Sequence, residues 1–323
     1  MAAVDPLPHD HLADDLERAL DMGAGRARVP RALLVPPTVE RLLGMAAADW
    51  AIIGLAWLGM AFGPWWVGAA AVIVVASRIH SFGVILHDAA HLPLRGKPPR
   101  VRLLEALCGF PLATTLNAMR YHHLRHHRDN GMPTDPYFKP GVEERPGLYA
   151  LNVLRGFALM PFWSVRVWFG LAAWAWPPLR NAYGRVFLQD RSGADLTESR
   201  EVLACARAEA GQAAFQLLVV VSAVVAPRAV LFGFVLPAVL AGVLAAWRLL
   251  QEHRYTPTSD RRIGTTLATT YDHHLNGWLT WLLAPRNIGF HIVHHLHPQV
   301  GLAQLPALRA WYVANQPGYP EPR

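Results

Sequence analysis

The chain has 323 residues, 53% of them hydrophobic and only 16% charged, with a net charge of +7. Soluble domains carry about 25% charged residues, so the composition excludes an ordinary soluble globule and points to a membrane. With so much apolar sequence, the positive balance fits the cytosolic face of a bilayer better than nucleic acid, and no nucleic-acid partner is expected.

In chain order, residues 1–40 are polar and proline-spotted, and read as a cytosolic N-terminal segment. A short helix is expected over Leu12 to Leu20, and His9 and His11 read as surface. No signal peptide is expected, since no apolar run follows a basic start. Arg41 to Gly63 is the first long apolar run, with Asp49 as its only acid. About 20 apolar residues span a bilayer core as a helix. Gly63-Pro64 marks a turn, Trp65 and Trp66 suit the interfacial aromatic belt, and Val67 to Leu86 forms the second run, interrupted by Arg78 and His80 and ending on His87. These two runs predict a hairpin. Leu103 to Leu116 is too short to span comfortably and is expected to dip into the membrane or lie along it. Leu148 to Trp176 is apolar and Trp-rich but holds Arg155 and Arg166. Arginines inside a span are costly, so interfacial helices are expected there. Asn181 to Glu209 is polar and read as cytosolic. Gln212 to Ala226 and Ala229 to Trp247, parted by Pro227-Arg228, predict a second hairpin.

The predicted architecture is therefore all-α and integral to the membrane: four transmembrane helices in two hairpins, plus interfacial helices. An even number of crossings puts both termini on one side. Of the thirty Lys and Arg, only Arg228 falls in a predicted far-side loop, which makes the near side cytoplasmic. Cys108 and Cys205 stand alone and read as buried hydrophobes.

Sixteen histidines are the other anomaly. Three clusters fall at the ends of apolar runs: His87 and His91; His123, His126 and His127; His291, His294 and His295. Helical residues three or four apart share a face, so each cluster has chelating spacing, and a histidine-rich di-metal site is expected on the cytosolic side. No thiolate accompanies them, which argues against soft-metal and iron–sulfur sites, while imidazole suits zinc, copper, iron and nickel. A single zinc needs three or four ligands. His87 to His91 resembles the zinc-protease helix, but Asp88 stands where a general-base Glu is required. Eight imidazoles most naturally serve two metal ions. A metal transporter or chaperone is the remote alternative, and it should show polar ligands midway through its spans.

The order His-x-x-x-His, His-x-x-His-His, His-x-x-His-His, interleaved with apolar hairpins, resembles the membrane fatty acid desaturase superfamily, which includes hydroxylases and carotenoid-modifying enzymes. Thr134-Asp135-Pro136, Asn287 ahead of His291, Leu296-His297-Pro298 and Leu302 to Leu308 add to the likeness, which runs from about Arg41 to Tyr312. It implies that residues 41–323 form one membrane desaturase-like domain. It also implies a non-haem di-iron centre and O2 as co-substrate. The family usually needs one more ligand upstream of the third cluster. Glu252-His253 resembles that position and makes His253 the expected ninth ligand, with His273 and His274 as rivals. Asp88, Glu252, Asn287 and His274 are candidates for supporting the ligands through hydrogen bonds, and His122 and His297 are expected to be bystanders. No catalytic residue beyond the metal ligands is expected. The implied activity is acyl desaturation of a lipid chain, in which two hydrogens leave and O2 becomes water with two outside electrons. Hydroxylation or ketolation, for instance of a carotenoid ring, is the alternative. No fused cytochrome b5 segment is present, since His297-Pro298 is followed by Gln299. A separate electron donor is therefore expected, a ferredoxin or a cytochrome b5-like protein with its reductase.

Overall fold

A computed structural model describes residues 29–94, 96–259, 263–273, 275–316 and 318–322. The expected helix over Leu12 to Leu20, and His9, His11 and His274, lie outside them. The regular elements among the described residues are all helical, with no strand beyond an isolated bridge between His253 and Thr270.

Helix α1 (Val39–Phe62) starts where the Thr38 side chain accepts a hydrogen bond from the Arg41 amide, and stops at Gly63 before Pro64. Helix α2 (Trp65–Ala89) returns antiparallel to it. Residues 99–112 break into a short α turn, a π turn over Glu105–Gly109 and a 3-10 turn, so this stretch makes no continuous span, as expected. Helix α3 (Leu116–Asp129) carries the second histidine cluster and is capped by the Thr115 hydroxyl. Helix α4 (Gly156–Ala175) covers the Trp-rich stretch. Helix α5 (Arg200–Val225) begins well before the apolar run at Gln212, and α6 (Leu236–Glu252) follows a π turn over Leu231–Val235. Helix α7 (His291–Leu296) bears the third cluster.

Five helices are long and apolar enough to cross a membrane: α1, α2, α4, α5 and the segment Pro227–Glu252 that contains α6. The sequence led to four because Arg155 and Arg166 counted against α4. The structure disposes of both charges. Arg155 precedes the helix and lines a cavity beside it. Arg166 is buried, with its Nε 2.9 Å from the Glu209 carboxylate of α5 and its Nη2 donating to the Ala113 carbonyl at 2.9 Å. The packing also fixes how α4 runs. Gly156 lies so close to Gly242 and Val243 of α6 that a Cβ would meet the Val243 Cα at 2.5 Å. At the other end, a Cβ on Gly170 would meet the Glu209 side chain at 2.7 Å. Gly242 lies about 15 Å of helix short of the end of α6, and Glu209 about 14 Å beyond the start of α5. Helix α4 thus touches its two neighbours at similar depth and runs across them.

A second buried charge group joins α1, α2 and the lead-in to α7. Asp49 accepts from Arg78 at 3.2 Å, from Ser81 at 2.6 Å, and pairs with Arg286 at 2.7 Å. Arg78 also donates to Ser77 and to the Trp281 carbonyl, and its guanidinium lies 3.8 Å above the Trp281 ring. Arg286 and Asn287 both hold left-handed backbone, with φ of 62° and 65°, a conformation non-glycine residues adopt only when surroundings impose it. Removing one partner from a buried charge group strands the others, at about 3–5 kcal/mol. Asp49→Ala is therefore expected to destabilise by about that much, and Asp49→Asn by less, read from denaturant unfolding of the detergent-solubilised protein. Equal stability of Asp49→Ala and wild type would refute this account.

Candidate metal centre

The three clusters and His253 meet at one end of the helices. His123, His126 and His127 occupy one face of α3, and His87 lies in the last turn of α2 with His91 just beyond it. His291, His294 and His295 come from α7, whose first turn is held by the Asp272 carboxylate accepting from the Ile292 amide at 2.9 Å. An acid at a helix N-terminus complements the helix dipole. His253 follows directly on α6.

Two groups of four imidazoles could each hold a metal ion: His87, His91, His123 and His294; and His126, His253, His291 and His295. In the second, Nε2 of His253 lies 2.8 Å from that of His126, 3.1 Å from that of His291 and 3.2 Å from that of His295. In the first, the Nε2 atoms of His91 and His123 are 2.9 Å apart. His127 adjoins the first group, with its Nε2 3.0 Å from those of both His123 and His294, and its ring centroid lies 4.3 Å from that of His295 in the second. Metal–nitrogen bonds of about 2.0–2.1 Å place neighbouring nitrogens about 2.9–3.4 Å apart at octahedral or tetrahedral angles. Hydrogen bonds cannot explain the pattern, because each neutral imidazole has one proton to give. A shared cation satisfies every lone pair at once.

The other ring nitrogens support that orientation. His126 Nδ1 faces the Asp135 carboxylate at 2.9 Å, and His253 Nδ1 faces the Leu249 carbonyl at 3.1 Å. A proton held at Nδ1 leaves the Nε2 lone pair for metal. Glu252 is fully buried, paired with Arg248, and lies 3.6 Å from His291 Nδ1 and 3.5 Å from His273 Nε2. Burial, reinforced by neighbouring charge, holds His123, His127, His253, His291 and His295 in the neutral form to well below their ordinary range.

The remaining candidates sit elsewhere. His273 belongs to neither group of four and reaches the centre only through Glu252. His122 Nδ1 meets the Tyr137 hydroxyl at 2.6 Å and His297 Nε2 the Tyr312 hydroxyl at 2.7 Å. Burial lowers their pKa values to about 3 and about 4. Asp88 is buried and accepts from the Leu302 amide at 3.4 Å, and Asn287 donates to the Leu302 carbonyl, so the acid and the amide brace the segment after α7. Asp135 has a larger part than the sequence assigned to it. Its place in Thr134-Asp135-Pro136 was visible, but its contact with His126 depends on how the chain turns after α3.

A cavity of about 360 Å3 opens beside both groups, within the range of small-molecule sites. His87, His123, His126, His253 and His291 form one wall, and Leu112, Leu159 and Trp163 form an apolar one. Lys139, Arg155 and Arg191 also line it.

A helical membrane bundle with paired polyhistidine sites beside an apolar cavity defines a class of membrane oxidoreductases. A family model for fatty acid desaturases matches residues 63–322, and the chain belongs to that family. No curated protein matches the chain.

His253→Ala is expected to lower the metal bound per chain by about half, while His273→Ala leaves it unchanged, read by elemental analysis of purified protein. The reverse would move the ninth ligand to His273. In metal-free protein, the unfolded chain takes up protons on these histidines near pH 6.5 and the folded chain does not. Stability is therefore full above that pH and falls below it, by about 1.4 kcal/mol per pH unit for each site that protonates on unfolding. Unfolding midpoints of metal-free protein from pH 7.5 to 5 measure this slope.

Proposed function

We propose that this chain is a di-iron, O2-dependent oxidoreductase that desaturates an acyl chain carrying an anionic head. The observation that carries it is the cavity, which joins a histidine wall to an apolar lining and three cations. In this reading, His87, His91, His123, His126, His127, His253, His291, His294 and His295 hold two irons. Bound iron would supply the O2-derived oxidising power needed against an unactivated C–H bond.

The protein's own side chains do the rest. Asp135, the Leu249 carbonyl and Glu252 orient their histidines through Nδ1. The wall of Leu112, Leu159 and Trp163 excludes water and aligns a methylene pair. Lys139 and Arg191 are held by neutral carbonyls, Lys139 by Tyr137 and Arg191 by Asp135 and Phe138. Burial lowers the Lys139 pKa to about 8, with Asp135 opposing and Arg191 and Arg155 adding to the shift. An anion placed among the three would relieve that repulsion. A carotenoid offers no such charge, which favours acyl desaturation over ring hydroxylation or ketolation. The metal-transporter reading finds no support, since the buried charges Asp49, Arg78, Arg166 and Glu209 inside the spans are paired with one another.

The topology we favour has four crossings, α1, α2, α5 and the segment ending in α6, with α4 embedded across them on the metal side. Both termini and the centre then face the cytoplasm. Two electrons come from a separate donor, a ferredoxin or a cytochrome b5-like protein, which the basic near face would attract by electrostatic steering.

Expression in a host of known lipid and carotenoid content, followed by mass spectrometry, should reveal an acyl product lighter by two hydrogens. His126→Ala should abolish it. A product heavier by one oxygen, or one found on a carotenoid, would overturn desaturation. Arg155→Gln is expected to raise KM for the anionic substrate about tenfold, as loss of a charge-assisted contact does, with kcat little changed.

A further inference from the structure

The cavity wall includes a buried ring nitrogen that the metal centre does not use and that meets no hydrogen-bond partner among the described residues. His80 lies on α2, two turns before His87, is 3% exposed, and lines the same cavity. Among the described residues its Nε2 has no hydrogen-bond partner. The ring faces the backbone carbonyl of Leu283. A carbonyl only accepts, so the nitrogen facing it carries the ring proton, and in the neutral imidazole Nε2 presents a bare lone pair.

The nearby cations cannot serve that lone pair. Arg78 is held by Asp49, Ser77 and the Trp281 carbonyl. Arg248 is held by Glu252. Gly83 shares the stripe of α2 between His80 and His87, and its Cα faces Leu112, so the surface next to His80 is apolar. Buried polar atoms are almost always satisfied by protein, water or ligand. His80 and His87 are seven residues apart on one helix face, a rise of about 10 Å. A ligand reaching from the metal wall into the cavity therefore meets His80 at about that distance.

We propose that His80 determines specificity by accepting a hydrogen bond from a hydroxyl group on the lipid chain. The hydroxyl would sit about 10 Å, by the helix rise, from the carbon presented to the His87 cluster. The substrate class is then a hydroxylated acyl lipid in place of a plain hydrocarbon chain. This rests on reading the cavity as the substrate site.

The test is equilibrium binding to the purified full chain in lipid nanodiscs, metal-loaded, by displacement of a fluorescent polyene fatty acid. The competitors are octadecanoic acid and a series of its hydroxylated forms with the hydroxyl moved along the chain. The wild-type protein is expected to bind one narrow range of hydroxyl positions about tenfold more tightly than the parent acid, the size of one well-placed hydrogen bond. His80→Leu should abolish that preference while keeping the affinity for octadecanoic acid and the bound metal, and His80→Gln should restore part of it. Affinities independent of hydroxyl position, or a preference that survives His80→Leu, overturn the proposal and leave His80 bonded to water only. If His80→Leu does not fold, the position series on the wild-type protein decides alone. A position preference with no turnover of any chain would sink the desaturase reading and leave this subsite standing. Turnover without a preference would do the opposite.

Discussion

Nine imidazoles converging at one end of the helices form the constraint on which the structure depends. Each ring has one proton and one lone pair, so no arrangement of protons alone satisfies contacts such as those of His253 with His126, His291 and His295. The ligands come from six places in the chain: the end of α2, the turn after it, α3, the residue after α6, and both turns of α7. Every helix between them must bring the chain back to the same end of the bundle. The lengths of the hairpins and the broken 99–112 segment follow from that return.

The bundle carries charges at depths where they are expensive, and it places each in a closed group. Asp49 serves two arginines, and Glu209 serves Arg166 and the Tyr183 hydroxyl. These groups tie elements that apolar packing alone would let slide. Asp49 is the stronger case, because its partner Arg286 sits in left-handed backbone five residues before His291. The strain at Arg286 and Asn287 persists because a carboxylate two helices away holds the side chain, and so a contact inside the membrane sets the entry angle of α7.

Much of the fold and the centre was legible in the sequence for the same reason. Chelating spacing on a helix is a local property, and so is a run of twenty apolar residues. His87, His91, the second cluster and the third could be read from spacing, and His253 from the Glu252-His253 pair. What could not be read depends on contacts distant in sequence. Arg166 counted against a span over α4 only while Glu209, forty-three residues later, was unseen as its partner. Asp135 could be noticed as part of a motif, but its bond to His126 needs the turn after α3. The start of α5 at Arg200 was hidden because its first turns face other protein and not lipid, and polar residues there look cytosolic.

The cavity joins these observations into one chemical argument. A site built only to hold metal would close its ligands over the ion. Here five of the histidines line a cavity that apolar side chains and three cations line as well. Apolar walls accept a chain without telling one methylene from the next, so in the proposed function position along the chain is set by polar contacts at fixed distances from the metal centre. In that reading Lys139, Arg155 and Arg191 would provide one such contact, and His80 a second on the helix that carries His87. Two anchors on rigid elements fix the register of a flexible chain far better than one, because a single anchor leaves the intervening rotors free to present neighbouring carbons. Which bond is oxidised is then decided by the spacing between anchors and metal, and that spacing is set by the packing of α2, α3 and α6.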